Sequence, residues 1–99
     1  MTVDINYLKD LDFTEEEVVQ MNGTLSKVVL DDITCFKGII NINYNMLKSF
    51  EISNIKEVFM KHAHMFLLNP DRFETILSKY DPEDLVRCIE KNAAVIEKL

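Results

Sequence analysis

The strongest structural signal in the chain lies at residues 47–66, which read LKSFEISNIKEVFMKHAHMF. Apolar side chains recur here at intervals of three and four residues, which is the spacing of an amphipathic α-helix. Ser53 stands just before this pattern and carries a hydroxyl that can cap the first turn. The stretch therefore predicts a helix after Ser53, with a buried face formed by Ile55, Val58, Phe59, His62, Ala63 and Phe66.

The C-terminal third of the chain repeats one kind of helix start. Asn69 and Asp81 each stand directly before a proline. A capping side chain followed by proline is typical of helix N-termini, because the first helical position needs no N–H donor. We expect two helices here, with buried faces formed by Phe73, Ile76, Leu77 and Tyr80 in the first and by Leu85, Cys88, Ile89, Asn92 and Ile96 in the second.

Another helix start lies near the N-terminus. Thr14 and Glu17 have the spacing of a capping box, in which each side chain accepts a hydrogen bond from the other's backbone N–H. The glutamates at 15–17 also suit the positive end of a helix dipole. Gly23 is placed to end this helix in a left-handed conformation. A short helix over residues 6–11 is expected before it.

Residues 31–50 have two interpretations. A helix capped by Asp31 or Asp32 is favoured by an apolar face made of Ile33, Phe36, Ile40, Leu47 and Phe50. However, Gly38 interrupts this pattern. Residues 39–44 are rich in β-branched side chains and partly alternate between apolar and polar, so a strand there is the alternative.

Composition points to a helical fold for the whole chain. Its 99 residues include only two glycines and two prolines, too few for the many turns of a β-sandwich. No apolar run approaches the roughly 18 residues that span a bilayer, and the N-terminus lacks the pattern of a signal peptide. We expect one all-α cytoplasmic domain over residues 1–99. Its five or six helices would form antiparallel hairpins, arranged as a compact bundle or as a short helical-repeat stack.

The sequence also matches itself in two alignments. One alignment places Leu47 on Leu77, and the other places Leu8 on Leu47. In both cases the apolar positions of the helix that follows also coincide, which is the signature of a structural repeat. The predicted units are residues 8–46, 47–76 and 77–99.

Two of these units resemble a known family. Residues 8–18, LKDLDFTEEEV, and residues 47–63, LKSFEISNIKEVFMKHA, resemble the helical repeats of the mitochondrial transcription termination factor family. The resemblance covers nearly the whole chain, as two full units and one half unit. It implies pairs of helices, each followed by a short 3₁₀ turn, stacked into a curved solenoid that holds nucleic acid.

Charge favours a protein partner over nucleic acid. The formal net charge is −6, whereas nucleic-acid binders gather cations on one face. Glu57 and Glu83 lie four residues before Lys61 and Arg87, and such spacing predicts ion pairs on exposed helix faces. If nucleic acid is nevertheless the ligand, the candidate phosphate contacts are Lys48, Lys56, Lys61, Arg72, Lys79, Arg87 and Lys91.

The sequence contains no pattern that indicates catalysis, a cofactor or a metal. Two glycines cannot build a phosphate-binding loop. His62 and His64 would point about 200° apart on a regular helix, so they would not share one metal ion. Cys35 and Cys88 are far apart in the sequence and are expected to be buried free thiols. We therefore expect a protein that is not an enzyme and that binds no small-molecule substrate.

An excess of apolar residues around the third and fourth predicted helices suggests a binding surface. Met60, Met65, Leu67 and Leu68 do not fit on the stripe formed by the other apolar residues there. Methionine adapts its shape and is common where proteins bind partners. The leading hypothesis is a small interaction module whose partner is a protein or a second copy of the chain. The alternatives are a nucleic-acid-binding helical repeat and an acidic, phage-type inhibitor that occupies the nucleic-acid site of another protein.

Overall fold

Every regular element in the computed structural model, which describes residues 5–11 and 13–99, is a helix. Within that part of the chain six α-helices and three 3₁₀ helices follow one another: a 3₁₀ helix at Asn6–Leu11, α1 Glu15–Thr24, α2 Lys27–Cys35, α3 Lys37–Lys48, α4 Ile55–Lys61, a second 3₁₀ helix at Ala63–Leu67, α5 Pro70–Ser78, α6 Pro82–Lys91 and a third 3₁₀ helix at Ala93–Lys98. The predicted all-α fold is confirmed. None of these helices is long and apolar enough to cross a membrane.

The alternative of a strand over residues 39–44 is wrong. These residues lie within α3, where Ile40 and Tyr44 are both fully buried. They are four residues apart, so they lie on one face of the helix. Burial of that face in the core outweighs the weak preference of β-branched residues for strands.

Three helix starts follow the sequence prediction. The Thr14 hydroxyl accepts the Glu17 N–H at 3.2 Å, and the Glu17 carboxylate accepts the Thr14 N–H at 2.8 Å. Asn69 accepts the N–H of the second residue of α5, and Asp81 accepts two N–H groups of α6. In all three places, polar side chains satisfy backbone donors that have no partner within the helix.

The predicted end of α1 is wrong. The helix continues through Gly23 to Thr24, and no glycine among the described residues has a positive φ. Leu25 and Ser26 are instead extended, and the Ser26 hydroxyl accepts the Val29 N–H at 3.3 Å to start α2. Because two extended residues already separate the helices, no left-handed glycine is needed.

The predicted single helix over residues 31–50 is divided into two. α2 starts at Lys27, so Asp31 and Asp32 lie in the middle of a helix and do not cap one. Phe36, with φ −110° and ψ 46°, separates α2 from α3. This break places Phe36 outside the predicted buried face, and its side chain is 48% exposed.

Ser53 does not cap α4, contrary to the prediction. The helix follows Asn54, and the Ser53 N–H donates to the Glu90 carboxylate at 2.8 Å. The Asn54 amide donates to the backbone carbonyl of Ile89 at 2.9 Å. Contacts with α6, a helix far from α4 in the sequence, therefore determine how α4 begins.

The core centres on five aromatic rings, each from a different segment of the chain. Neighbouring ring centroids lie 5.0–6.2 Å apart, and the tilted or edge-on arrangements are those that aromatic pairs prefer. The rings come from the segment before α1, from α3, from α4, from the second 3₁₀ helix and from α5: Phe13, Tyr44, Phe59, Phe66 and Phe73. Their contacts hold these five segments around a common centre.

One polar side chain is fully buried among the described residues. The amide nitrogen of Asn43, on α3, donates to the backbone carbonyls of Phe66 and Leu68, both at 2.8 Å. A buried carbonyl without a hydrogen bond costs free energy. Asn43 therefore fixes the second 3₁₀ helix against α3.

Helix boundaries in the second half of the chain follow the alignment of Leu47 on Leu77. The ends of α3 and α5 are as far apart in the sequence as these two leucines. The ends of α4 and α6 have the same separation. The starts of the second and third 3₁₀ helices are separated by the same interval. Common boundaries of this kind are compatible with a repeat. The units 8–46, 47–76 and 77–99 themselves remain a prediction.

Replacing Asn43 with leucine should destabilise the protein by about 2–4 kcal/mol, because the buried carbonyl of Phe66 and the part-buried carbonyl of Leu68 lose their donor. Asn45→Leu is the matched control on the same helix, since Asn45 is exposed and donates to Asn41 one turn earlier. We expect the control to change stability by no more than about 0.5 kcal/mol. Urea unfolding measures both values, and equal losses would contradict the role assigned to Asn43.

Candidate functional site

Two shallow grooves meet at Phe50, in the turn between α3 and α4. The larger, of about 920 Å³, lies between this turn and α6, and the smaller, of about 450 Å³, lies beside the end of α3 and α5. Phe50 and Ser49 line both grooves. We call the joint surface the Phe50 groove. Its floor consists of the apolar residues Met46, Phe50, Leu77 and Val86, and the exposed Pro82 also lines it. Its charged residues are Glu51, Glu74, Glu83, Arg87, Glu90 and Lys91.

The apolar and charged residues of the groove differ in exposure. Met46, Phe50 and Val86 are half-buried and pack against the core, and Leu77 is buried. All six charged residues are exposed. The groove thus has an apolar floor inside a charged rim, an arrangement that is common in protein interfaces.

Glu51 has a strained backbone at the edge of this groove. Its φ is +60°, in the left-handed region that favours glycine, and no other non-glycine residue among those described has a positive φ. The Phe50 and Glu51 N–H groups bond back to the carbonyls of Leu47 and Lys48, which closes the end of α3. A side chain costs about 1–2 kcal/mol in this conformation. Such strain is often found at functional sites.

The predicted interaction residues lie elsewhere. Met60, Met65, Leu67 and Leu68 are all half-buried and pack against the core. Met60 lines a separate groove between α1 and α4, and the other three lie in or directly after the second 3₁₀ helix. None of these four residues lines the Phe50 groove. Sequence reasoning missed the groove because its two sides, near residues 50 and 86, are far apart in the chain.

The candidate phosphate contacts are spread over α3 to α6, and several are paired with carboxylates. Within the described residues the structure shows the pairs Lys56–Glu17 at 3.0 Å, Lys61–Glu57 at 3.1 Å, and Arg87–Asp84. The Lys61 pair follows the prediction, whereas Arg87 pairs with Asp84 and not with Glu83. Of the remaining candidates, Lys91 lines the Phe50 groove, Lys48 ends α3, Arg72 lies in α5, and Lys79 directly follows α5.

The carboxylates in two of these pairs are held in their charged form. Hydrogen bonds from the Thr14 N–H and from Lys56 keep the pKa of Glu17 below its usual value. The Lys61 ammonium and the Asn54 amide lower the pKa of Glu57 in the same way. Each of these two lysines is therefore paired with a negative charge. This pairing argues against a basic, phosphate-binding surface on α4.

His62 and His64 converge on one carboxylate, which the regular-helix argument did not predict. His62 Nδ1 lies 2.5 Å from one oxygen of Glu97, and His64 Nε2 lies 2.8 Å from the other. The geometry of a regular helix does not apply, because α4 ends at Lys61 and a 3₁₀ helix starts at Ala63. The cluster ties the second 3₁₀ helix to the third.

Glu97 has opposing influences on its ionisation. Desolvation raises the pKa of its carboxyl, but the hydrogen bonds and charges of His64 and His62 together bring this pKa below its usual value. Each imidazole contacts a different carboxylate oxygen. No group of three or more ligating side chains within residues 5–11 and 13–99 is arranged to hold a metal ion.

The prediction that both cysteines are buried is wrong. Cys35 and Cys88 are free and exposed. Cys35 is the last residue of α2, directly before the exposed Phe36. Cys88 lies at the edge of the apolar stripe of α6, where the buried positions are Leu85 and Ile89.

Relief of the strain at Glu51 should stabilise the fold. We expect Glu51→Gly to raise the free energy of unfolding by about 1 kcal/mol, since glycine adopts a positive φ without a steric penalty. Glu51→Ala is the control, because alanine removes the charge but retains Cβ and hence the strain. Thermal and urea unfolding compare the two variants. A gain from alanine as large as the gain from glycine would show that the charge, and not the backbone, is responsible.

Comparison with known proteins adds no functional assignment. No protein family, curated protein or solved structure matches this chain. The functional argument therefore rests on the residues and geometry of the chain itself.

Proposed function

We propose that this chain is a non-enzymatic interaction module that binds another protein through the Phe50 groove. The observation that carries this proposal is a half-buried aromatic side chain at the point where two grooves meet, inside a rim of charges. Aromatic side chains at the centre of an interface often contribute most of its binding energy, and a polar rim excludes water around them.

The backbone of Glu51 supports the same location. Glycine would relieve its left-handed conformation, yet the chain carries a charged side chain on the wall of the groove. A glutamate at this position gives up some stability. We infer that its carboxylate contacts the partner.

A reducing compartment suits the proposed module. Its two cysteines are exposed and unpaired with each other, and free surface thiols persist where the cell keeps thiols reduced. We therefore propose that the protein acts in the cytoplasm.

Site-specific photocrosslinking tests the proposal. Benzoylphenylalanine at position 50 should form a discrete covalent adduct with a partner protein in cells of the source organism. The matched control is the same group at Phe36, which is 48% exposed but lies between α2 and α3 and does not line the groove. Adducts of equal yield at both positions, or no adduct at position 50, would show that the groove is not the binding site. Circular dichroism checks that both variants fold.

The proposal also predicts that the isolated chain does not bind nucleic acid. With short labelled duplexes and single strands at about 150 mM salt, we expect a Kd weaker than the roughly 10⁻⁴ M limit of non-specific binders. Fluorescence anisotropy measures this directly. Salt-sensitive micromolar binding that is lost in a Lys48→Glu, Lys56→Glu variant would instead favour the function implied by the helical-repeat resemblance.

A further inference from the structure

We propose that the segment of the partner that occupies the Phe50 groove is an amphipathic helix with basic flanks. This inference rests on the protein-binding function proposed above and specifies the chemistry of the partner. It follows from the charges of the rim, from the shape of the apolar floor and from the helical character of the surrounding structure.

The rim of the groove has an excess of negative charge. Four carboxylates line it, against two cations: Glu51, Glu74, Glu83 and Glu90 against Arg87 and Lys91. Arg87 already contacts Asp84, so its charge is balanced within α6. Lys91 alone then faces four carboxylates within this rim. Opposite charge on the partner increases both the association rate and the specificity, so we expect lysine or arginine around the anchoring residues.

One carboxylate of the rim, that of Glu90, is held in its charged form by hydrogen bonds. Glu90 accepts the Ser53 N–H at 2.8 Å, and the hydrogen bonds from Ser53 lower the pKa of its carboxyl. This contact leaves the negative charge of Glu90 on the wall of the groove. At Glu90, therefore, contacts made by the fold support the negative charge of the rim.

The floor of the groove fits a helix better than a strand. Three of its four apolar residues lie on different helices, α3, α5 and α6, and Phe50 lies between the two arms. A helix presents apolar side chains at positions i, i+3 or i+4, and i+7, and can therefore contact both arms. The described part of the chain has no strand, and hence no sheet edge to which an extended peptide could add.

Two matched peptides test the proposal. The first is a helical peptide of about 18 residues made only of leucine and lysine, and the second has the same leucine positions with glutamate replacing every lysine. Each is titrated into the ¹⁵N-labelled full chain. We expect the lysine peptide to shift amide resonances of residues that line the groove, and the glutamate peptide to leave them unchanged.

Variants assign the interaction to the groove. Phe50→Ala should abolish the shifts, whereas Phe36→Ala should leave them intact. Glu74→Gln combined with Glu83→Gln should weaken binding about two- to tenfold, because each exposed ion pair contributes little. The variant with both glutamine substitutions keeps the apolar floor, so it tests the rim charges even if Phe50→Ala is unstable.

Three outcomes would overturn the inference. Equal binding of both peptides would show that rim charge does not select the partner. Lysine-peptide shifts centred on the glutamates at the start of α1 would show non-specific attraction to acidic residues outside the groove. Binding of neither peptide would exclude a basic helix. In each case a crosslinked adduct at position 50 would still support protein binding, so failure of the inference and failure of the function are distinguishable.

Discussion

The hydrogen bonds of one buried amide are the constraint on which much of the structure depends. The second 3₁₀ helix directly follows α4 and its capping residue His62, and the Asn43 amide nitrogen donates to the carbonyls of Phe66 and Leu68. With this segment fixed, the Phe66 ring packs against the rings on α3, α4 and α5. The same helix that carries Asn43 ends at the Phe50 turn, so the position of the groove depends on how α3 packs.

The elements that could be predicted from the sequence are those that neighbouring residues determine. Thr14 with Glu17, and Asn69 or Asp81 before proline, satisfy helix ends through residues close in sequence, and all three starts are observed. Ser53 has equally good capping chemistry, but contacts with Glu90 and Ile89 shift the start of α4. Pattern reasoning does not contain such distant contacts, so it misplaces a helix start where they are made.

The candidate site was less predictable than the fold. Sequence reasoning noted an excess of apolar residues near the third and fourth predicted helices and predicted Met60, Met65, Leu67 and Leu68 as a contact surface. That choice stays a prediction, and none of the four lines the Phe50 groove. The groove forms where the turn after α3 meets α6, a helix from a distant part of the sequence. Its other signal, the positive φ of Glu51, is visible only in the folded backbone.

The distribution of charge in the structure bears directly on the partner proposed for the Phe50 groove. Lys56 and Lys61 are each neutralised by a carboxylate close by, so the cations of α4 contribute little to the field at a distance. The rim of the groove retains unbalanced carboxylates around Phe50. If the groove binds a basic partner as proposed, long-range attraction would guide that partner to the groove, and burial of apolar side chains on Phe50 would hold it there. Salt should therefore slow association more than it speeds dissociation, because exposed rim charges act mainly on the encounter.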